Sequence, residues 1–166
     1  MPEFKRISPN GVERALEKAE RYRLLNEPWD AESICQDILE IEPRNQRALV
    51  LLLLARTDQF QHGRGVGDAA AREVLPRITS EYQRAYYGGI ICERWARTRL
   101  SHGAPGAAGA VYQWLREAMD WYEKAEVLRP ADNDDALLRW NACARLLARH
   151  PELKPEPESR EEVMLE

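Results

Sequence analysis

The sequence predicts an all-α fold built from antiparallel helix hairpins. Apolar residues recur at three- and four-residue steps in seven segments, and no segment alternates as a half-buried strand would. Two helices that end at a proline also repeat one pattern, with spacings of 4, 3 and 5 residues: Ala31, Cys35, Ile38 and Pro43 align with Ala118, Tyr122, Ala125 and Pro130. Such self-similarity is typical of helical repeats.

The first two predicted helices form a hairpin. One covers 10–25, with capping chemistry at Ser8, and ends before Pro28, since proline lacks a backbone donor and restricts the residue before it. The other covers 29–42 and is stopped by Pro43. Two apolar stripes joined by a short turn indicate an antiparallel pair.

Five further helices follow along the chain. They are predicted over 46–61, 68–79, 81–100, 111–128 and 133–150. Pro76 predicts a kink or an early end in the fourth. Glycine-rich breaks at 62–67 and 101–109 predict loops. The organisation is therefore a helical domain over 1–150 and an acidic Pro/Glu-rich tail over 151–166, which we expect to be disordered.

Charge and hydropathy exclude several classes of protein. The net charge is −4, and the last 17 residues carry all of it, with six Glu against Lys154 and Arg160. A neutral body lacks the basic stripe of a nucleic-acid binder. The apolar block 48–55 is far shorter than the ~20 residues that span a bilayer, and the N-terminus lacks the apolar run of a secretory signal. We expect a cytoplasmic protein with no membrane partner.

Residue types that support catalysis or metal binding are sparse. Cys35, Cys92 and Cys143 lie in apolar-periodic segments, which predicts buried thiols rather than disulfides or a zinc site. The three histidines form no metal-binding or catalytic spacing. The prediction is a protein that is not an enzyme and has no cofactor and no metal.

The first hairpin resembles the tetratricopeptide repeat, a 34-residue helix–turn–helix. Its packing positions are matched by Ala19, Tyr22, Ala31, Cys35, Ile38 and Pro43. A second repeat is degenerate, with a connecting turn about six residues longer than the family's. A third shows the pair Tyr87-Gly88 and the proline-closed helix, separated by about 18 extra residues. The resemblance implies a short right-handed superhelix whose last helix caps the stack.

In this family the first helices of the hairpins line a concave groove that holds a peptide or protein. Carried over by position, the lining residues are Glu13, Leu16, Glu20, Arg23, Leu24, Arg47, Val50, Leu54, Thr57, Asp58, Tyr82, Ala85, Gly89, Cys92 and Glu93. Some members bind a terminal carboxylate through Lys and Asn. Leu16 and Glu20 stand at the corresponding places here, so that mode is not expected.

The fifth predicted helix is rich in aromatic and basic residues. Most of its aromatics, among them Tyr82, Tyr86 and Trp95, are expected to be core, with a minority as binding anchors. The arginines that follow are expected to face solvent, to pair with Glu or to receive an acidic partner: Arg94, Arg97 and Arg99. The acidic tail is one candidate, although a solvated tail is favoured.

The predicted function is a non-catalytic adaptor or scaffold that binds a peptide or protein of unknown identity in the concave groove. One alternative is homo-oligomeric assembly through the apolar loop and the aromatic helix, which light scattering distinguishes from a monomeric adaptor. The other is an all-α small-ligand binder or enzyme in which the 101–110 loop closes as a lid over Tyr86, Tyr87 and Trp95.

Overall fold

The computed structural model describes residues 1–62 and 67–157, and this part of the chain is helical with no strand. Its seven α-helices are α1 (Val12–Leu24), α2 (Pro28–Ile41), α3 (Gln46–Asp58), α4 (Ala69–Arg72), α5 (Glu81–His102), α6 (Ala108–Leu128) and α7 (Asp135–Arg149). Short 3-10 turns lie at Pro9–Gly11, Gln59–His62 and Leu75–Arg77. The all-α prediction is confirmed for the described residues.

The helix ends follow from local chemistry. Pro28 is the first residue of α2, where a missing N–H costs nothing. Asn45 caps α3, since its side chain accepts a hydrogen bond from the amide of Ala48. Ser80 caps α5 in the same way through the amide of Gln83. The sequence expectations therefore hold to within a few residues for these elements.

The predicted helix over 68–79 is wrong in length. Only Ala69–Arg72 is α-helical, and the chain then forms the 3-10 turn Leu75–Arg77. Pro76 has no N–H to donate to the carbonyl of Arg72, so the α-helical bond at that step cannot form. Hydrogen bonds of the 3-10 type, between residues three apart, replace it: the amide of Arg77 donates to the carbonyl of Val74, and that of Ile78 to the carbonyl of Leu75. The glycine-rich break before α4 falls largely on 63–66, outside the described residues.

The connection in the third hairpin is also shorter than predicted. Helix α5 continues to His102, where Gly103 takes the left-handed conformation (φ 59°) that commonly ends a helix, and α6 begins at Ala108. The extra residues of this hairpin therefore lengthen its two helices, to 22 and 21 residues. At 1.5 Å per residue, Gly103 lies about 12 Å along the helix from Trp95 and about 25 Å from Tyr86. A lid over these aromatics is not supported by this geometry.

The helices pack mainly with their neighbours in the chain. The pairs α1–α2, α2–α3, α5–α6 and α6–α7 are in contact, and α1–α3 and α3–α5 also touch. Two apolar clusters result, one centred on α1–α3 and one on α5–α7. Leu54 and Tyr87 contact both clusters and so join the two halves. The leucine block of α3 is buried as predicted, notably Leu49 and Leu53 at 0% exposure.

Part of the acidic tail is packed against the domain. Residues 151–157 form no helix, but Leu153 is only 6% exposed and packs in the α5–α7 cluster. Glu156 lies directly over Gly109 at the start of α6. Disorder was expected over 151–166; this segment differs from that expectation, because Leu153 gives it an apolar anchor. Residues 158–166 lie outside the described residues.

Two adjacent glycines let α5 approach α6 closely. A Cβ added at Gly88 would lie 3.0 Å from Cδ2 of Trp121, which is tight, whereas one added at Gly89 would overlap the ring of Tyr122. Tyr122 is fully buried, so its ring has little room to withdraw. The backbone-to-ring contact at Gly89 therefore fixes the distance between the two longest helices.

We predict that Gly89→Ala lowers the free energy of unfolding by about 1–3 kcal/mol, because the new methyl group overpacks the core against Tyr122. Gly88→Ala is the matched control: the gain in helix propensity, up to about 1 kcal/mol, offsets a smaller strain at Trp121. Urea unfolding followed by circular dichroism measures both. A Gly89→Ala protein as stable as the wild type would contradict the close approach.

Candidate functional site

Side chains predicted to line the groove meet along one side of α1, α3 and α5. Arg47 on α3 donates to Glu13 on α1 (Nη1 to Oε1, 2.7 Å) and to Glu20 (Nη2 to Oε2, 3.1 Å). Further along, Arg23 of α1 binds Asp58 at the end of α3, and Asp58 in turn binds Arg94 of α5. These contacts form two polar groups, one at Arg47 and one at Asp58, which we together call the polar stripe: Glu13, Glu20, Arg23, Arg47, Asp58 and Arg94.

A cavity of about 360 Å³ opens at one end of the polar stripe. Its walls come from the C-terminal ends of α1 and α3, the middle of α5, and α7. The lining residues are Arg23, Leu24, Asn26, Thr57, Asp58, Gln61, Glu93, Arg94, Arg97, Thr98 and Arg139. We call this space the arginine cavity, because four of its six charged residues are arginines.

Asp58 is shared by two arginines on one wall. Arg23 makes a two-pronged contact with it, Nε to Oδ2 at 2.7 Å and Nη2 to Oδ1 at 3.3 Å. Arg94 donates through Nη1 to Oδ1 of Asp58 at 2.5 Å and to the Thr57 hydroxyl at 2.7 Å. These side chains are 17–28% exposed, so their electrostatic interactions are less screened than those of a surface pair. The bonds hold α1, α3 and α5 together at this end.

Glu93, next to Arg94 on α5, is a buried carboxylate of the cavity lining, with only 1% of its surface exposed. Its Oε2 accepts a hydrogen bond from the Tyr122 hydroxyl at 2.6 Å. Its Oε1 accepts from Nε of Arg97 at 2.9 Å and from Nη1 of Arg139 at 3.5 Å. Burial, together with the charge of Glu93, raises the pKa of Tyr122 well above its usual range, so the phenol remains a donor. This network, the Glu93 network, connects α5, α6 and α7.

The predicted lining residues divide into three groups. Five of them line the arginine cavity: Arg23, Leu24, Thr57, Asp58 and Glu93. Three others form the exposed ion pairs of the polar stripe: Glu13, Glu20 and Arg47. The remaining predicted lining residues are small, apolar or aromatic. Val50, Leu54 and Tyr82 are partly buried, and Tyr82 stacks on Tyr86 with ring centroids 6.0 Å apart.

Leu16 was predicted to line the groove, but it is only 3% exposed and belongs to the core between α1 and its neighbours. Ala85, Gly89 and Cys92 are likewise buried, because α5 packs against α6 and α4, and none of the three lines the cavity. Leu24, by contrast, is exposed and lines the cavity.

The three arginines of α5 were expected to face solvent, to pair with Glu or to receive an acidic partner, and two of them pair with carboxylates of the domain. Arg94 and Arg97 pair with Asp58 and Glu93, while Arg99 lies over the ring of Trp95 at 6.0 Å. Sequence reasoning missed Arg139, which it placed only within the capping helix. A buried Glu93 on a helix with arginines was the available signal, since a buried carboxylate needs cationic or hydrogen-bonding partners.

A separate apolar groove of about 570 Å³ lies between α5, α6 and the 3-10 turn that follows α4. Its apolar lining is Leu75, Pro76, Ala85, Trp121, Val127 and Leu128. The shortened α4 and the 3-10 turn leave this face of α6 less covered than a full helix would. Any homo-oligomer formed through apolar surface has this groove available.

Other chemistry is limited in the described residues. Cys35, Cys92 and Cys143 are free and buried, and burial raises the pKa of each thiol to about 12. Over 1–62 and 67–157, no group of His, Cys, Asp and Glu is arranged to hold a metal ion. In the same part of the chain, none of the helices combines the length and hydropathy needed to cross a membrane.

Comparison with known proteins gave no assignment. No family model matches the chain, and no significant match was found among curated proteins or solved structures. The resemblance to the tetratricopeptide repeat therefore stays a prediction from the residues of the first and third hairpins.

We predict that Tyr122→Phe lowers the free energy of unfolding by about 2 kcal/mol, because it removes a hydrogen bond to the buried Glu93 carboxylate and keeps the ring. Tyr112→Phe, at a partly exposed position on the same helix, is the matched control and should change stability by less than about 0.5 kcal/mol. Urea unfolding measures both. Equal effects of the two substitutions would contradict the network.

Proposed function

We propose that this chain is a non-catalytic adaptor of the cytoplasm that binds a peptide or protein segment along the polar stripe. In this proposal the hairpins stack as a short right-handed superhelix of the tetratricopeptide type, α7 caps the stack, and the polar stripe is its concave surface. Three buried thiols fit a reducing compartment.

One observation carries the proposal: polar side chains of α1, α3 and α5 contact one another along one side of the domain. The resemblance assigns these helices as the first of each hairpin, and first helices line the groove in that family. Their predicted lining residues lie 34 and 35 positions apart in the chain yet form direct bonds, Arg47 to Glu13 and Arg23 to Asp58. A separation close to the 34-residue repeat is expected when equivalent positions of stacked hairpins meet.

The stripe also has the chemistry of a binding surface. Its ion pairs at Arg47 are exposed and therefore weak, so they can be exchanged for contacts with a partner. The arginine cavity adds a concave space with donors and acceptors. Leu24, exposed beside the cavity, offers apolar contact.

The proposal is tested by selecting binders from a displayed library of random twelve-residue peptides and mapping where they bind. Selected peptides should crosslink to Glu20→benzoylphenylalanine, a photoreactive residue on the polar stripe outside the arginine cavity. Glu40→benzoylphenylalanine, exposed on α2, is the matched control and should crosslink at least tenfold less, measured by mass spectrometry. Failure to select any peptide, or crosslinking confined to position 40, would count against the adaptor function.

A further inference from the structure

The arginine cavity has a local charge opposite to that of the chain. Its lining includes four guanidinium groups, of Arg23, Arg94, Arg97 and Arg139, against the two carboxylates of Asp58 and Glu93. Four positive and two negative charges leave an excess of two positive charges, whereas the whole chain carries −4. The excess is therefore a feature of this cavity and does not follow from the average composition.

The two carboxylates do not use up the hydrogen-bonding capacity of the arginines. Asp58 and Glu93 are each contacted by two guanidinium groups, and the contacts run through Nη1 of Arg94, Nε of Arg97 and Nη1 of Arg139. A guanidinium has five donor hydrogens in a planar fork. Donors thus remain in a half-buried space, where charge-assisted hydrogen bonds are stronger than in water.

Arg94 shows that holding these cations together costs free energy. Burial lowers its pKa, and the nearby Arg23 and Arg139 act in the same direction, against the attraction of Asp58. An anion placed between the guanidinium groups would relieve both effects, since it adds attraction and replaces lost hydration.

We propose that the arginine cavity binds an oxyanion carried by the partner segment, either neighbouring carboxylates of Asp or Glu or a phosphoryl group. This inference rests on the proposed function, because it assigns the chemistry of the segment that lies along the polar stripe. Two adjacent carboxylates, or one phosphoryl group of charge about −1.5 to −2, match the excess of two positive charges. Each presents the paired acceptor oxygens that a guanidinium fork binds in parallel. Leu24 and Asn26 at the rim would contact the neighbouring residues of the segment.

The test uses terminally blocked peptides that differ only in their central pair: Glu-Glu, phosphoserine-Gln and Gln-Gln. Binding is followed by amide chemical shifts of ¹⁵N-labelled full-length protein in 20 mM salt, with inorganic phosphate as a further probe. We expect Kd values at least tenfold lower for the two charged peptides than for Gln-Gln, with shifts centred on residues 93–98 and 139. The stronger of the two charged peptides identifies the source of the oxyanion.

The diagnostic variant is Arg94→Gln/Arg97→Gln, which removes the charge excess and leaves each carboxylate one arginine, Arg23 for Asp58 and Arg139 for Glu93. It should abolish the preference for the charged peptides. Arg145→Gln, exposed on α7 and outside the cavity lining, is the matched control and should retain it. Should the double variant not fold, the single variant Arg97→Gln, whose side chain is 43% exposed, should reduce the preference about threefold.

Each outcome separates this inference from the proposed function. Equal binding of the Gln-Gln and charged peptides on the polar stripe would overturn the inference while leaving the adaptor function in place. A preference that survives in Arg94→Gln/Arg97→Gln would also overturn it. Phosphate binding in the cavity without any peptide binding on the stripe would uphold the oxyanion site and count against the adaptor.

Discussion

The buried carboxylate of Glu93 is the constraint on which the second half of the structure depends. A carboxylate that is 1% exposed is stable only if its charge and lone pairs are satisfied. Tyr122 supplies one bond from α6, while Arg97 and Arg139 supply two from α5 and α7. The arrangement therefore fixes the relative positions of three helices, and it also places two arginines at the wall of a cavity. The proposed oxyanion site thus uses side chains that also hold the helices together.

Gly89 of α5 is needed for the same contact between Tyr122 and Glu93. Because Gly89 has no side chain, the ring of Tyr122 can lie directly against the backbone of α5, and its hydroxyl then reaches Glu93 one helical turn away. Asp58 has the corresponding role between α1, α3 and α5 through Arg23 and Arg94. The two carboxylates thus bring four arginines from three helices to one space, a density of positive charge that the neutral helical body does not suggest.

The sequence predicted most helices because their apolar periodicity and proline stops are local signals. Pro28 and Pro43 delimit α2 correctly. One error was local: Gly103 ends α5 later than the composition of 101–109 indicated. Others arose because neighbours in space decide the outcome, as for Leu16, which is buried by packing that no single helix reveals. Arg139 joined the site through Glu93, 46 residues away, which a local pattern cannot show.

The central claim is that Asp58 and Glu93 hold arginine side chains in place around the cavity. The most direct measurement is the solvent-exchange rate of arginine Nε–Hε protons by NMR near neutral pH. Arg23 and Arg97 donate to these carboxylates through Nε, at 2.7 and 2.9 Å, so their Hε protons should exchange at least tenfold more slowly than that of the exposed Arg145. Exchange of Arg23 and Arg97 as fast as that of Arg145 would contradict the account.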